Sequence, residues 1–156
     1  MISISPRPTN VTNSTSTTAA FKALSKGFEE TDILVSDAGF LASPSAIAQS
    51  DEDEWWRGFE INICESFNAI RIHLPTASKK AMLFSINTGI TSLSAILGFS
   101  SYVARKVTAA KMFEYLQAEN PGLHVVNVHP EVVDADTGQK SSVRLVDDGE
   151  SMNSQQ

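Results

Sequence analysis

Tyr102 and Lys106 stand four residues apart in Ser101-Tyr102-Val103-Ala104-Arg105-Lys106. On a helix that spacing puts both side chains on one face. A tyrosine hydroxyl is a poor base at neutral pH. An ammonium held beside it favours the phenolate, and the tyrosine could then exchange a proton with an alcohol or a carbonyl. Thr88, in Ile86-Asn87-Thr88-Gly89, falls where an apolar run ends, so its hydroxyl could bind the same substrate oxygen. Alone the pair carries little weight, because Tyr and Lys at this spacing occur on many surface helices. Its meaning depends on the elements that hold it.

Those elements alternate along the chain. The run Ile33-Leu34-Val35, leading into Ser36-Asp37-Ala38-Gly39, predicts a parallel strand over about 32–38, covered on both faces. Ser50-Asp51-Glu52-Asp53 resembles a capping box. The helix after it is expected over about 51–74. Trp55, Phe59, Ile63, Phe67, Ile70 and Leu74 recur at helical spacing, Asn62 and Glu65 interrupt them, and Pro75 ends the run. Ala81 to Ile86 predicts a second strand over about 81–87. A helix over 100–119 follows, with Tyr102, Lys106, Ala109, Phe113 and Leu116 on one face, closed by Asn120-Pro121-Gly122. Residues 123–129 form a third strand. Ahead of these, Ser16 to Phe28 reads as a short helix with Ala19, Phe21, Leu24 and Phe28 as core contacts.

Strand, helix, strand, helix, strand with short links predicts an α/β fold with a parallel sheet of about three core strands and flanking helices. Ligands of such sheets bind beyond the carboxyl ends of the strands. Gly39, Thr88 and Pro130 all fall at those ends. Residues 1–15 read as loop or disorder, 16–136 as one domain and 137–156 as a mobile polar tail.

Composition removes several alternatives. The chain has 156 residues, enough for a real core, and a formal charge of -6 with no basic stripe, which argues against nucleic acid. The single Cys64 has no partner for a disulfide or a zinc cluster, and no metal site is expected. No apolar run approaches the ~20 residues of a membrane helix. The first residues lack the apolar centre of a signal peptide, so Asn10-Val11-Thr12 and Asn13-Ser14-Thr15 read as polar loop and the cytoplasm is the expected location. A serine hydrolase fits poorly: no Gly-x-Ser-x-Gly occurs, and His73, His124 and His129 lack a nucleophile partner.

Five segments in order resemble the short-chain dehydrogenase/reductase family, of a kind seen in filamentous fungi. Asp32 to Gly39 resembles the strand that ends in Asn-Asn-Ala-Gly. Phe59-Glu60-Ile61-Asn62-Ile63 resembles the helix with the active-site asparagine, and Ile86 to Gly89 the segment of the catalytic serine. Tyr102 and Lys106 match Tyr-x-x-x-Lys. His129-Pro130-Glu131-Val132-Val133 resembles the Pro-Gly segment beside the nicotinamide. The resemblance covers about residues 21–136 and implies a partial Rossmann-like, doubly wound sheet. It implies that Tyr102 is the general acid/base and that Lys106 lowers its pKa and holds the nicotinamide ribose. Thr88 would stand in for the serine, and Asn62 would hold a relay water. Ala38, Gly39, Lys106, Pro130 and Val132 would lie along the cofactor, NAD or NADP. A small alcohol or carbonyl compound would be the substrate.

The chain also departs from the family. No Gly-x-x-x-Gly-x-Gly occurs in it, and that turn brings backbone N–H groups to the cofactor pyrophosphate. The chain reads as beginning near the family's third strand, with Asn10-Val11-Thr12 resembling the Asp-Val segment that meets the adenine, and as lacking the last strand. Asp37 replaces an asparagine, Glu65 a helix glycine and Glu131 the glycine next to the nicotinamide. Ala135 stands where a threonine is usual, and Thr88 lies one residue further from Tyr102. The expectation is therefore an oxidoreductase by descent, truncated at both ends, with cofactor binding weak or lost. The alternative is a non-catalytic fragment whose helices 51–74 and 100–119 pair with a second copy or a full-length relative, or an incomplete gene product.

Overall fold

The computed structural model describes residues 6–27, 30–92 and 94–130. Helix α1 spans Ser14–Leu24, strand β1 Thr31–Ser36, helix α2 Glu52–His73, strand β2 Ala77–Ile86, helix α3 Ser100–Glu119 and strand β3 His124–Val128. The strands are parallel and lie in the order β1-β2-β3, with Leu34 beside Leu83 and Leu83 beside Val125. This is an α/β, Rossmann-like partial sheet, as the alternation of the sequence requires.

Local chemistry sets the boundaries. Asn13 accepts from Ser16 N–H and starts α1 two residues earlier than the sequence pattern suggests. Thr17 is buried in α1 while Ala19 is exposed, so the core contact falls two positions earlier as well; Phe28 lies outside the described residues. Asp51 accepts from Glu54 N–H, with three acids in the first turn of α2 against its positive end. β2 begins four residues ahead of its apolar run, because Thr31 pairs with Ala77 although Lys79 and Lys80 are exposed. α3 has the bounds its periodicity implies.

The core lies between the sheet and two of the helices. Ile70 of α2, Ala81 and Leu83 of β2, Phe113 and Leu116 of α3, and Leu123 form it, with Leu34 and Val125 packed against them. Both helices meet this one face, since two crossovers of one hand running the same way put their helices on the same side. The expectation that β1 is covered on both faces is corrected here. Ile33 and Val35 point the other way and are 60% and 55% exposed, next to Met82 and Val126.

α2 also departs from its apolar stripe. Its buried face is Gly58, Asn62, Glu65, Ser66, Asn68, Ala69, Ile70 and His73, while Phe67 is exposed. Small residues explain this. A Cβ on Gly58 would come within 2.6 Å of Arg105 Nη1 and 3.2 Å of Ser101 Oγ, so α3 closes on α2 where α2 has no side chain. Asn68 ties the segment before α1 to α2, donating to Val11 O at 3.1 Å.

Candidate active site

β2 delivers Ile86, Asn87 and Thr88 to the carboxyl edge of the sheet, and α3 comes down beside them. Lys106 Nζ donates to Ile86 O at 2.6 Å. Asn87 Nδ2 donates to Lys106 O at 3.3 Å, and Asn87 Oδ1 accepts from Thr88 N–H at 2.9 Å. Asn87 N–H in turn donates to Val128 O at 2.7 Å, which keeps the segment in the sheet. Lys106 is thus fixed to β2 through both its side chain and its backbone, with Thr88 attached through the same asparagine. Thr88 is 8% exposed, and its Oγ1 accepts from Ile90 N–H at 3.3 Å, which leaves the hydroxyl proton to donate elsewhere.

Tyr102 lies one turn ahead of Lys106 on α3. Its ring meets Phe99 edge-on, with centroids 6.4 Å apart at 81°, and the Arg105 guanidinium carbon is 4.9 Å from the ring centroid. Arg105 itself is 1% exposed, and its Nε and Nη1 have no hydrogen-bond partner among the described residues. Burial, opposed by Tyr102, pulls Arg105 down to about 10. Burial is also the main cause that lowers the Lys106 pKa, joined by the Arg105 charge and opposed by Asp37 and Glu65. A cavity of about 260 Å³ opens beside Tyr102, between Leu41, Glu54, Trp55 and Phe99. It reaches Tyr102 but is not lined by Thr88, Asn62 or Lys106.

Asn62 ties a loop to α2 in this geometry. Its Oδ1 accepts from Phe40 N–H at 3.0 Å, and a Cβ on Gly39 would come within 3.3 Å of its Nδ2. It is 6% exposed and pins the loop after β1 to α2. That loop carries Ala38 and Gly39, both exposed at the end of β1, and Pro130 is exposed just beyond β3. Val132, Glu131 and Ala135 lie outside the described residues. Small, open residues at the ends of β1 and β3 and a half-buried Lys106 at the end of β2 fit the nicotinamide-ribose half of a dinucleotide. The donors that would hold its pyrophosphate, a glycine-rich turn, do not occur in the sequence.

Residues the sequence reading passed over sit among these. Asn87 joins Thr88 to Lys106, and an asparagine at a strand end, able to donate and accept at once, was the available signal. Arg105 and Gly58 form a matched pair across α2 and α3, which no periodicity reveals. Ser36 and Ser66 enclose Glu65, with Ser36 Oγ 2.9 Å from Glu65 Oε2. His129 packs its ring on Gly89, where a Cβ would come within 2.8 Å of Nε2.

The chain is similar to known proteins. The short chain dehydrogenase family model matches residues 2–145. The chain is 30% identical over 132 residues to the short chain dehydrogenase tazN of Aspergillus terreus, covering 80% of this chain and 28% of that one. Among solved structures, the KRED1-Pglu enzyme superposes with a TM-score of 0.77 at 25% identity, over 83% of this chain and 54% of the enzyme. An alcohol dehydrogenase of the archaeon Thermococcus sibiricus, complexed with 5-hydroxy-NADP, superposes with a TM-score of 0.75 at 19% identity, over 90% of this chain and 66% of that one. The chain thus spans about a quarter to two thirds of the length of these relatives. With the family model matching nearly its whole length, the chain belongs to the short chain dehydrogenase family.

Proposed function

We propose that residues 31–130 carry the catalytic half of an NAD(P)-dependent oxidoreductase that interconverts a small-molecule alcohol and carbonyl. The observation that carries this reading is the fixing of Lys106 to Ile86 and Asn87, one helical turn from Tyr102 and joined through Asn87 to Thr88. In alcohol oxidation the Tyr102 oxygen takes the hydroxyl proton as the carbonyl forms; in reduction it returns the proton to the same oxygen. Thr88 donates its free hydroxyl proton to that oxygen. The nicotinamide, when bound, accepts or supplies the hydride. Lys106 retains two ammonium protons beyond the one given to Ile86 O, and these suit ribose hydroxyls. Ala38, Gly39 and Pro130 would line the cofactor. Asn62 acts by holding the loop of Gly39 and Phe40 in place.

The 156 residues by themselves hold NAD or NADP weakly. The glycine-rich turn that is not among them would supply several charge-assisted hydrogen bonds of about 1.5–3 kcal/mol each. Losing ~4 kcal/mol weakens binding about a thousandfold, from micromolar towards millimolar. The test is an absorbance assay over a panel of ketones and aldehydes at micromolar and at millimolar NADH and NADPH. Turnover confined to millimolar cofactor and abolished by Tyr102→Phe supports the reading. Turnover unaffected by Tyr102→Phe contradicts it.

A second reading, a module that pairs with a second copy or a full-length relative, is favoured by one observation. Trp56 and Phe67 on α2 and Val107 and Tyr115 on α3 are 57%, 52%, 46% and 63% exposed. Large apolar side chains in such number on one helix pair mark an interaction surface. Sedimentation of the chain with Phe67→Glu separates the two readings, since it breaks pairing and leaves Tyr102 untouched.

A further inference from the structure

Glu65 is a carboxyl group 6% exposed in the middle of α2, reaching under the end of β1. Its Oε2 lies 2.9 Å from Ser36 Oγ and 3.0 Å from Ser66 Oγ, and the two serine oxygens lie 2.8 Å apart. Three short contacts among three oxygens need three protons. The serines supply two. With an ionised carboxylate both serines donate to Oε2, and the contact between them sets lone pair against lone pair. With a neutral acid the carboxyl donates into one serine, that serine into the other, and the other back to Oε2. The ring of contacts closes only when Glu65 carries a proton. Burial pushes the Glu65 pKa up in the same direction, opposed by the two serines, with Asp37 adding to the rise and Lys106 opposing it.

The cluster lies next to Lys106 by the register of the sheet. Ser36, which Glu65 contacts, is paired with Ser85 on β2. The residue after Ser85 is Ile86, whose carbonyl accepts from Lys106 Nζ. Adjacent strands are about 4.8 Å apart, so Glu65 from α2 and Lys106 from α3 reach neighbouring strand ends on one edge. The charged groups around them are Asp37 after β1, Arg105 on α3, and Arg7, which lines a cavity of about 300 Å³ that Glu65 also lines. That cavity gives the buried carboxyl a path to solvent protons.

We infer that Glu65, held with Ser36 and Ser66 in a buried three-oxygen cluster, is a positioning residue for Lys106: protonated, it leaves the ammonium on Ile86 O, and ionised, it draws the ammonium away. The consequence for cofactor binding rests on the function proposed above; the coupling between the two residues does not.

The test uses the full chain labelled with ¹³C-lysine, with the Lys106 Cε signal assigned by Lys106→Arg. The wild-type Lys106 signal is expected to show a step at a pH above 4.5, the ordinary carboxylate value, as Glu65 ionises. Glu65→Gln should remove the step and Glu65→Asp should restore one. An identical Lys106 curve in wild type and Glu65→Gln overturns the inference. If Glu65→Gln does not fold, Ser36→Ala reads the same cluster: the step should shift in pH, and an unmoved step overturns the inference. A second arm titrates NADPH across the same pH range. An intact step with no NADPH binding at any pH leaves the coupling standing and removes the oxidoreductase reading alone.

Discussion

Asn87 donates to the carbonyl of Lys106 at 3.3 Å while accepting from the N–H of Thr88. One amide therefore links the loop after β2 to the helix that carries Tyr102. Replacing it by alanine leaves the N–H of buried Thr88 without its acceptor. Asn87→Ala is expected to lower stability by about 1–3 kcal/mol, read as a lower denaturation midpoint in urea. Asn87→Asp, which keeps the acceptor and loses the donor, should fall between wild type and alanine.

The crossing of α2 and α3 depends on Gly58 having no side chain. A Cβ there meets Arg105 Nη1 at 2.6 Å. Gly58→Ala is expected to lower stability by about 1–3 kcal/mol through overpacking. In an Arg105→Ala background the same substitution should cost less, because the nearer of its two close contacts is gone and only Ser101 Oγ at 3.2 Å remains. Equal effects of Gly58→Ala in both backgrounds, in a double-mutant cycle, would refute the pairing.

Acid should weaken the fold through His73. The ring is 1% exposed, Nδ1 lies 2.9 Å from Thr31 Oγ1, and Nε2 has no partner among the described residues. Burial lowers its pKa below 6.5. The folded chain therefore takes up this proton later than the unfolded chain does. The contribution is fully present above pH 6.5 and is lost as pH falls through the lowered folded value. His73→Gln should flatten that part of the stability profile below pH 6.5, measured by thermal melts in a pH series.

The open face of the sheet should make the chain self-associate. Ile33 and Val35 are more than half exposed beside Met82 and Val126, and exposed apolar patches next to an unpaired strand edge invite contact. Sedimentation velocity at rising concentration should show species larger than a monomer, reduced by Val35→Lys. A monomer at all concentrations would count against this.

The parts legible in the sequence are those set by one-dimensional pattern. The β-α-β-α-β alternation, the full length of α3 and the Tyr102–Lys106 spacing each depend on local periodicity and terminators such as Pro121-Gly122. What escaped depends on three dimensions. Ile33 and Val35 read as buried because an apolar run does not say which face a helix covers. Phe67 read as core because α2 turns its small residues, Gly58, Ser66 and Ala69, towards its neighbours instead. Asn62 fitted a family position, yet its contact with Phe40 N–H depends on the path of a loop that has no pattern of its own.

Fluorescence titration of NADPH against the 156-residue chain, with Lys106→Ala and Tyr102→Phe alongside, tests the central claim most directly. The account predicts weak binding, with a Kd of order millimolar, that is lost in Lys106→Ala and kept in Tyr102→Phe. Binding of equal strength in Lys106→Ala would show that Lys106 does not hold the cofactor. Micromolar binding by the wild-type chain would contradict the claim that these residues alone hold it weakly.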